Sequence, residues 1–275
     1  MSASRRAEWV RADSLARVDR SNYPELDHLS RSEIWRDVGP GGLYLVARLA
    51  RNLELEPDDW VLDLGCGAAE SSLYLAERYG ARVVAADLWT DPADNARKIA
   101  ERGCRERVIP MRLDASKPLP FASNYFDAIL VVNNLNFYGT DPAAIDQIAV
   151  TLKPGGVFCS GGECLNQEFT AQQIADPPEV YAFAQEVWED DFLTSHSPPW
   201  WAEHVARSPL LQVRFCREVE DGRLYFEEQA LISEPEGYLG MSPQEARALE
   251  IRQIEWGREH RPYMTVYELV ARRAE

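Results

Sequence analysis

Nowhere in the 275 residues does an apolar run approach the roughly 20 residues that a bilayer-spanning helix needs. The N-terminus carries Arg5 and Arg6 but no continuous apolar core behind them, so neither a secretory leader nor a membrane span is expected, and the chain reads as cytoplasmic. Cysteine is scarce and unpatterned: five residues, an odd number without a Cys-x-x-Cys pair, fit reduced thiols rather than a disulfide framework. Cys66 and Cys159 read as small buried hydrophobes. Positive charge is also short. Against 45 Asp and Glu there are only 29 Lys and Arg, a formal net charge of −16, and no local basic patch stands out. A surface so acidic repels phosphate backbones and anionic lipid, which argues against nucleic acid or a membrane as partner. Histidine is limited to His28, His196, His204 and His260. His196 and His204 lie about two helical turns apart with no Cys or carboxylate at zinc-like spacing to complete a set, so no metal is expected. Internal repeats and low-complexity tracts are absent.

What is present is a strand, a glycine turn, a helix, a second strand and a terminal acid. The apolar run Trp60 to Leu64 suits a parallel strand buried on both faces. Gly65 and Gly67 then turn the chain, because glycine takes positive φ and lets the backbone pass close under a ligand. A helix from about Ser71 to Tyr79 follows, its free N–H groups and dipole favouring an anion at its start, a pyrophosphate or an amino-acid carboxylate. Asp87 ends the next strand, some 20 residues past the glycines, placed to accept from ribose hydroxyls. This is the layout of a nucleoside-cofactor site. At 45% hydrophobic, the chain can bury one large core, or one core with a small cap.

At Asp63-Leu-Gly65-Cys-Gly67 the chain resembles the class I S-adenosylmethionine-dependent methyltransferases, whose first motif carries an acid two positions before the Gly-x-Gly turn. The resemblance continues in order. Asp87 matches the ribose-binding acid, Asp114 in Arg112-Leu-Asp-Ala matches the residue near the adenine amino group, Phe126 to Asn133 resembles the fourth strand, and Lys153-Pro-Gly-Gly156 the turn into the fifth. It implies S-adenosylmethionine as cofactor, held by Asp63, Gly65, Gly67, Asp87, Leu88, Asp114, Ala115 and Asn133. Many members carry a third glycine where this chain has Ala69, which is small enough to keep the turn but meets a cost at positive φ. We read Ala69 as tolerated variation, since the intact Asp63, Gly65, Gly67 and Asp87 argue against a degenerate site. Further stretches, Ser32-Glu-Ile-Trp35, Gly39-Pro-Gly-Gly42 and His196-Ser-Pro-Pro-Trp-Trp201, are similar to a bacterial subgroup of the superfamily and extend the likeness over most of the chain.

The expected fold is α/β, a Rossmann-like doubly wound sheet of seven strands, with N-terminal helices and a helical cap between strands five and six. Residues 1–55 read as an N-terminal helical lid, with Ile34-Trp35 and Leu43 to Leu49 at helical spacing after the Gly39-Pro-Gly-Gly42 break. Residues 56–164 form the cofactor-binding core. Residues 165–210, rich in Pro, Trp and acids, form the cap, including Ala175 to Pro178 and Val187 to Asp191. Residues 211–275 return to the sheet with a strand at Leu211 to Arg217, a mostly helical stretch through Gln244 to Trp256, and a last strand at Met264 to Ala271, the two strands making a hairpin.

Transfer of a methyl group from a sulfonium is an in-line displacement in which positioning outweighs acid–base power. An amine or enolate acceptor needs almost no base, whereas a phenol, alcohol or acidic carbon must lose a proton. His196 is the candidate base, and packing against Trp200 and Trp201 is its alternative role. His204 is a weaker candidate, and His28 and His260 read as surface residues. Tyr138 is a candidate hydrogen-bond donor or, with Phe137, a pocket wall. Asn133 or Asn134 stands where it can bond the methionine amino group or a substrate hydroxyl, or else satisfies its own turn. Amides there, in place of carboxylates, leave no magnesium site for catechol methylation, and the absence of an Asn-Pro-Pro-Tyr-type motif counts against DNA amino-methylation. Three readings stand: a methyltransferase acting on O, N or C of a small molecule, with specialised metabolism as one setting; an enzyme using the bound cofactor for other chemistry such as cyclisation; and a non-catalytic binding protein. Assembly as a homodimer stays open.

Overall fold

The computed structural model describes residues 15–181, 195–233 and 241–275. The Arg5-Arg6 pair and the Val187 to Asp191 run lie outside these residues. Seven strands form one sheet in the order β3-β2-β1-β4-β5-β7-β6. β1 (Trp60–Leu64), β2 (Arg82–Asp87), β3 (Val108–Arg112), β4 (Phe126–Val132) and β5 (Leu152–Leu165) run parallel. β6 (Leu211–Glu218) and β7 (Met264–Arg273) complete the sheet, with β7 inserted antiparallel between β5 and β6. β1 sits centrally and is buried from Val61 to Leu64, as its uninterrupted apolar run requires.

Short polar signals start the helices. α1 (Arg31–Ile34) opens on a Ser30 capping box closed by Glu33. α4 (Pro92–Glu101) and α5 (Pro142–Thr151) both begin at an Asp-Pro pair: Asp91 and Asp141 accept from the N–H two residues on, and the proline occupies the first turn, where a missing N–H costs nothing. α2 (Gly42–Ala50) is buried at every residue except Arg48 and packs on the sheet beside β4 and β5. It is a layer of the core. With α3 (Glu70–Tyr79) and α8 (Gly222–Ile232) it covers one face of the sheet, where Val61, Val83, Leu130 and Cys159 point. The other face, with Leu62, Leu64, Ile129 and Phe158, is covered by α5 and by α7 (Pro198–Val205), whose Trp201 is 1% exposed and stacks on Tyr267 of β7.

Between β5 and β6 the described residues form α6 (Ala171–Ala175), a 3-10 turn (Glu179–Tyr181) and α7. α7 contacts β6 and β7, so this part of the segment belongs to the sheet's own helical layer. The last two strands pair antiparallel as expected, but α8 and α9 (Pro243–Glu259) lie between them in sequence, so they are neighbours without a tight turn. The N-terminal segment is tied down by one buried acid. Glu228 of α8 accepts from Val18 N (2.7 Å), Trp35 Nε1 (3.1 Å) and Tyr44 Oη (3.0 Å), and pairs with Arg31.

Candidate functional site

The carboxyl ends of β1, β2 and β4 converge on the glycine turn. Gly65 (φ 77°) and Gly67 (φ 50°) adopt the left-handed region, and Ala69, the residue before α3, joins them at φ 62°. Alanine there carries a strain of about 1 kcal/mol that glycine would avoid. Gly65 admits no other residue, because an added Cβ would lie 2.1 Å from Asn134 Nδ2. That amide donates to Leu64 O (2.9 Å), Gly65 O (3.1 Å) and Val132 O (2.7 Å), locking the β4 end onto the turn.

Asp63 is completely buried. Its Oδ2 accepts from the hydroxyls of Ser71 and Ser72, both at 2.6 Å, while Oδ1 is sealed from water with no partner among the described residues. Burial raises its pKa, the two serines lower it and the Asp87 charge raises it again, leaving it at about 6. A buried acceptor without a donor costs free energy, so Oδ1 is a vacancy for an N–H donor, most favourably a cationic one.

Asp87 does more than end β2. Its Oδ2 accepts from Gly67 N (2.9 Å) and its Oδ1 from Trp89 N and Thr90 N, both 2.8 Å. It therefore braces the glycine turn against the β2–α4 loop, with lone-pair capacity left mainly on Oδ2. Leu88 and Trp89, just beyond it, are 42% and 73% exposed, and Trp89 meets Phe137 edge-on with ring centroids 5.4 Å apart. Asp114 stands after β3 with Ala115 beside it. It accepts from Ser116 Oγ (2.6 Å) and Ser116 N (3.0 Å) and pairs with Lys117, contacts that lower its pKa.

Asn133 also has positive φ, 58°, and donates Nδ2 to Pro40 O (2.8 Å), linking the Gly39-Pro-Gly-Gly42 turn to the end of β4. Its Oδ1 is buried without a partner among the described residues. Tyr138 donates its phenol to Asn134 Oδ1 (2.7 Å). Burial first, then Tyr267 and Asp63, raise its pKa well above the ordinary tyrosine value, so it stays protonated and can only be a donor or a wall.

His196 stands in a separate cluster. It stacks on Trp200 at 3.6 Å, the packing role, and bonds Glu168 Oε2 through Nδ1 (2.9 Å). Glu168 Oε1 accepts from Ser197 N and Ser197 Oγ, both 2.6 Å. Burial would raise the Glu168 pKa, but the His196 and Ser197 bonds outweigh it and bring it to about 2. Trp200 stacks in turn on His204, whose Nε2 donates to Gly139 O (2.8 Å), next to Tyr138. Burial lowers the His204 pKa and keeps that imidazole neutral. His28 and His260 are exposed.

The structure thus joins Gly67 to Asp87, and Gly65 to Asn134 and Tyr138, by direct bonds, buries Asp63 against Ser71 and Ser72, and sets His196 with Glu168 and Trp200. Ser71, Ser72 and Glu168 are partners that sequence reading passed over. The serines carry a signal in hindsight, two hydroxyls at the start of a helix whose preceding strand ends in an acid. Glu168 carries none, lying 28 residues from His196. Among the described residues no group of three or more His, Cys, Asp or Glu is arranged to hold a metal ion, and no helix is long and apolar enough to cross a membrane.

With this geometry in place, comparison with known proteins is direct. Residues 61–156 match the family model described as a methyltransferase domain. A demethylmenaquinone methyltransferase of Mycobacterium sp. (strain KMS) is 28% identical over 157 residues, covering 50% of this chain and 64% of that protein. Among solved structures, geranyl diphosphate C-methyltransferase from Streptomyces coelicolor A3(2) superposes with a TM-score of 0.65 at 19% identity, covering 84% of this chain and 79% of that one. The cyclase SpnF superposes at 0.58 with 20% identity, covering 84% and 81%. The methyltransferase-domain match over residues 61–156 and the methyltransferase relatives support the class I S-adenosylmethionine-dependent methyltransferase superfamily, whose fold the structural neighbours share, one of them in complex with S-adenosylmethionine. The chain spans less than two thirds of the length of the curated relatives it matches first.

Proposed function

We propose that this protein binds S-adenosylmethionine and moves its methyl group to a small-molecule acceptor. The observation that carries the reading is Asp63 Oδ1, a buried acceptor with no donor, at the carboxyl edge of β1 beside a glycine turn braced by Asp87. That vacancy fits the amino group of a methionine moiety. The free lone pair of Asp87 Oδ2 suits a ribose hydroxyl, Leu88, Ala115 and Asp114 flank the place of an adenine, and Asn133 offers its unpartnered Oδ1 on the other side. When bound, the cofactor supplies an electrophilic methyl on a sulfonium. The chain's task is then to hold an acceptor in line and exclude water. Tyr138, protonated, walls the crevice and donates a hydrogen bond, while Glu168 holds the His196 imidazole so that Nε2 is left to take a proton from an acceptor that needs to lose one. The acidic surface keeps nucleic acid and anionic membrane out of the list of acceptors and favours a small molecule, a specialised metabolite included.

The likeness to a cyclase supports a second reading, in which the same cofactor site serves non-methylating chemistry. Formation of S-adenosylhomocysteine during turnover separates the two. Isothermal titration tests what they share: wild-type protein should bind S-adenosylmethionine and S-adenosylhomocysteine at about micromolar Kd. Asp87→Ala should weaken both at least about tenfold, and an unchanged constant would refute the assignment.

A further inference from the structure

Among the described residues seven large hydrophobic side chains are exposed, and three of them, Leu88, Trp89 and Phe137, belong to the two loops that flank the glycine turn. Trp89 and Phe137 touch each other edge-on, their ring planes 76° apart. The sheet order makes this contact informative. β2 and β4 lie on either side of β1, so at a spacing of about 4.8 Å per neighbour they run about 10 Å apart. Trp89 follows β2 by two residues, and Phe137 closes the 3-10 turn Leu135–Phe137 that follows β4. For the two ring centroids to come within 5.4 Å, the loops must lean toward each other past the carboxyl end of β1, where the chain enters Gly65 and Gly67. The pair therefore bridges the crevice from bank to bank, at the edge of the strands where open α/β sheets bind their ligands.

Both banks are pinned at the backbone. Asp87 Oδ1 accepts from Trp89 N and Thr90 N, and Phe137 N donates to Asn134 O (3.2 Å), while the Asn134 side chain is itself bonded to Leu64 O and Gly65 O. Only the two aromatic side chains need turn for a ligand to pass beneath them. An indole that is 73% exposed leaves much apolar surface in water, and the edge-on contact recovers only part of it. A flat ligand with a π-face recovers more, because bases stack on aromatic side chains whatever hydrogen-bonding edge they carry. Trp89 is tied to Asp87, the carboxylate suited to the ribose, so the nucleoside is the part of the cofactor within its reach.

We propose that Trp89 and Phe137 form an aromatic clamp that closes over the nucleoside of the bound cofactor and sets how slowly it leaves. This rests on reading the crevice as the cofactor site. The glycine turn and Asp87 orient the ligand from below, and the two rings exclude water from above, so loss of the rings acts on release more than on encounter.

Two readouts with S-adenosylhomocysteine test the clamp. Trp89 is the tryptophan most open to water among the described residues, so acrylamide quenching of fluorescence reports on it. Saturating ligand should protect the wild-type protein from acrylamide, and the protected component should vanish in Trp89→Phe. Ligand release, followed by surface plasmon resonance, should be about tenfold faster in Trp89→Ala and in Phe137→Ala, while Trp89→Phe, which keeps a ring, should stay within about threefold of the wild type. Urea midpoints of the three variants should match the wild type, since both side chains are exposed. Acrylamide access unchanged by ligand, release within about twofold of the wild type in both alanine variants, or Trp89→Phe as fast as Trp89→Ala would each overturn the inference. S-adenosylmethionine should respond as S-adenosylhomocysteine does; an effect confined to S-adenosylmethionine would place the rings on the sulfonium and overturn the nucleoside assignment. Failure of the wild-type protein to bind either ligand would instead sink the cofactor reading, and the clamp with it.

Discussion

A carboxylate sealed from water, with two hydroxyl donors on one oxygen and none on the other, is held against its own charge. For Asp63 the consequence is a stability that depends on pH with a definite sign. Its folded pKa, about 6, lies above the ordinary value near 3.9 of an unfolded aspartate. Below about pH 4 both states are protonated and nothing is lost. Between about 4 and 6 the unfolded chain ionises first and stability falls, and above about 6 the full penalty, of order 3 kcal/mol, is in place. Asp63→Asn can still accept from Ser71 and Ser72 but cannot ionise. Urea unfolding should therefore show the variant gaining on the wild type by about 3 kcal/mol between pH 3.5 and pH 7; a difference that stays constant with pH would remove the argument. At this scale Asp63, Gly65, Gly67 and Asp87 were legible in the sequence, because positive φ and an acid at a strand end are local demands. The lock of Asn134 onto Gly65 was not, since it joins residues 69 positions apart and only the β1–β4 pairing brings them together.

Elements are joined where one side chain serves two of them, and Glu168 is the clearest instance. It stands before α6 and accepts from the backbone and hydroxyl of Ser197, the residue that opens α7, as well as from His196. Ser197 caps α7 without bonding the helix's own amides, so Glu168 is what orders that helix start. Its pKa of about 2 lies below its ordinary value of 4.5. The stability it contributes is thus complete above about pH 4.5 and is lost as pH falls through about 2. Glu168→Ala should cost about 1 kcal/mol at neutral pH, a modest figure because the carboxylate is 45% exposed, and the cost should shrink as the medium is acidified. Equal destabilisation at pH 7 and pH 3 would show that packing, not the charge, is what the variant loses. The Asp-Pro pairs that start α4 and α5 are local signals present in the sequence, although the sequence reading did not use them. The placing of α7 against β6 and β7 was not legible, because its Pro-Pro-Trp-Trp sequence has the composition of a loop and its helical burial is decided by Tyr267 across the sheet.

For the whole molecule, the sheet order brings the ends of β1, β2 and β4 to one crevice. Strand order was legible only through resemblance, since hydrophobic runs alone do not say that the seventh strand inserts between the fifth and sixth. The crevice exists only in the folded chain, for Asp63, Gly67 and Asn133 are separated by up to 70 residues and come together through β pairing. A ligand that needs all three binds the folded state alone and must stabilise it by mass action. At a free concentration of S-adenosylhomocysteine 100 times its Kd, the gain is about 2.7 kcal/mol. For a chain of this size that corresponds to a rise in Tm of about 5 °C or more, measurable by calorimetry. The rise should shrink sharply in Asp87→Ala, whose bracing of Gly67, Trp89 and Thr90 is gone. A wild-type Tm indifferent to saturating ligand would mean that the unpartnered oxygen of Asp63 waits for something other than this cofactor.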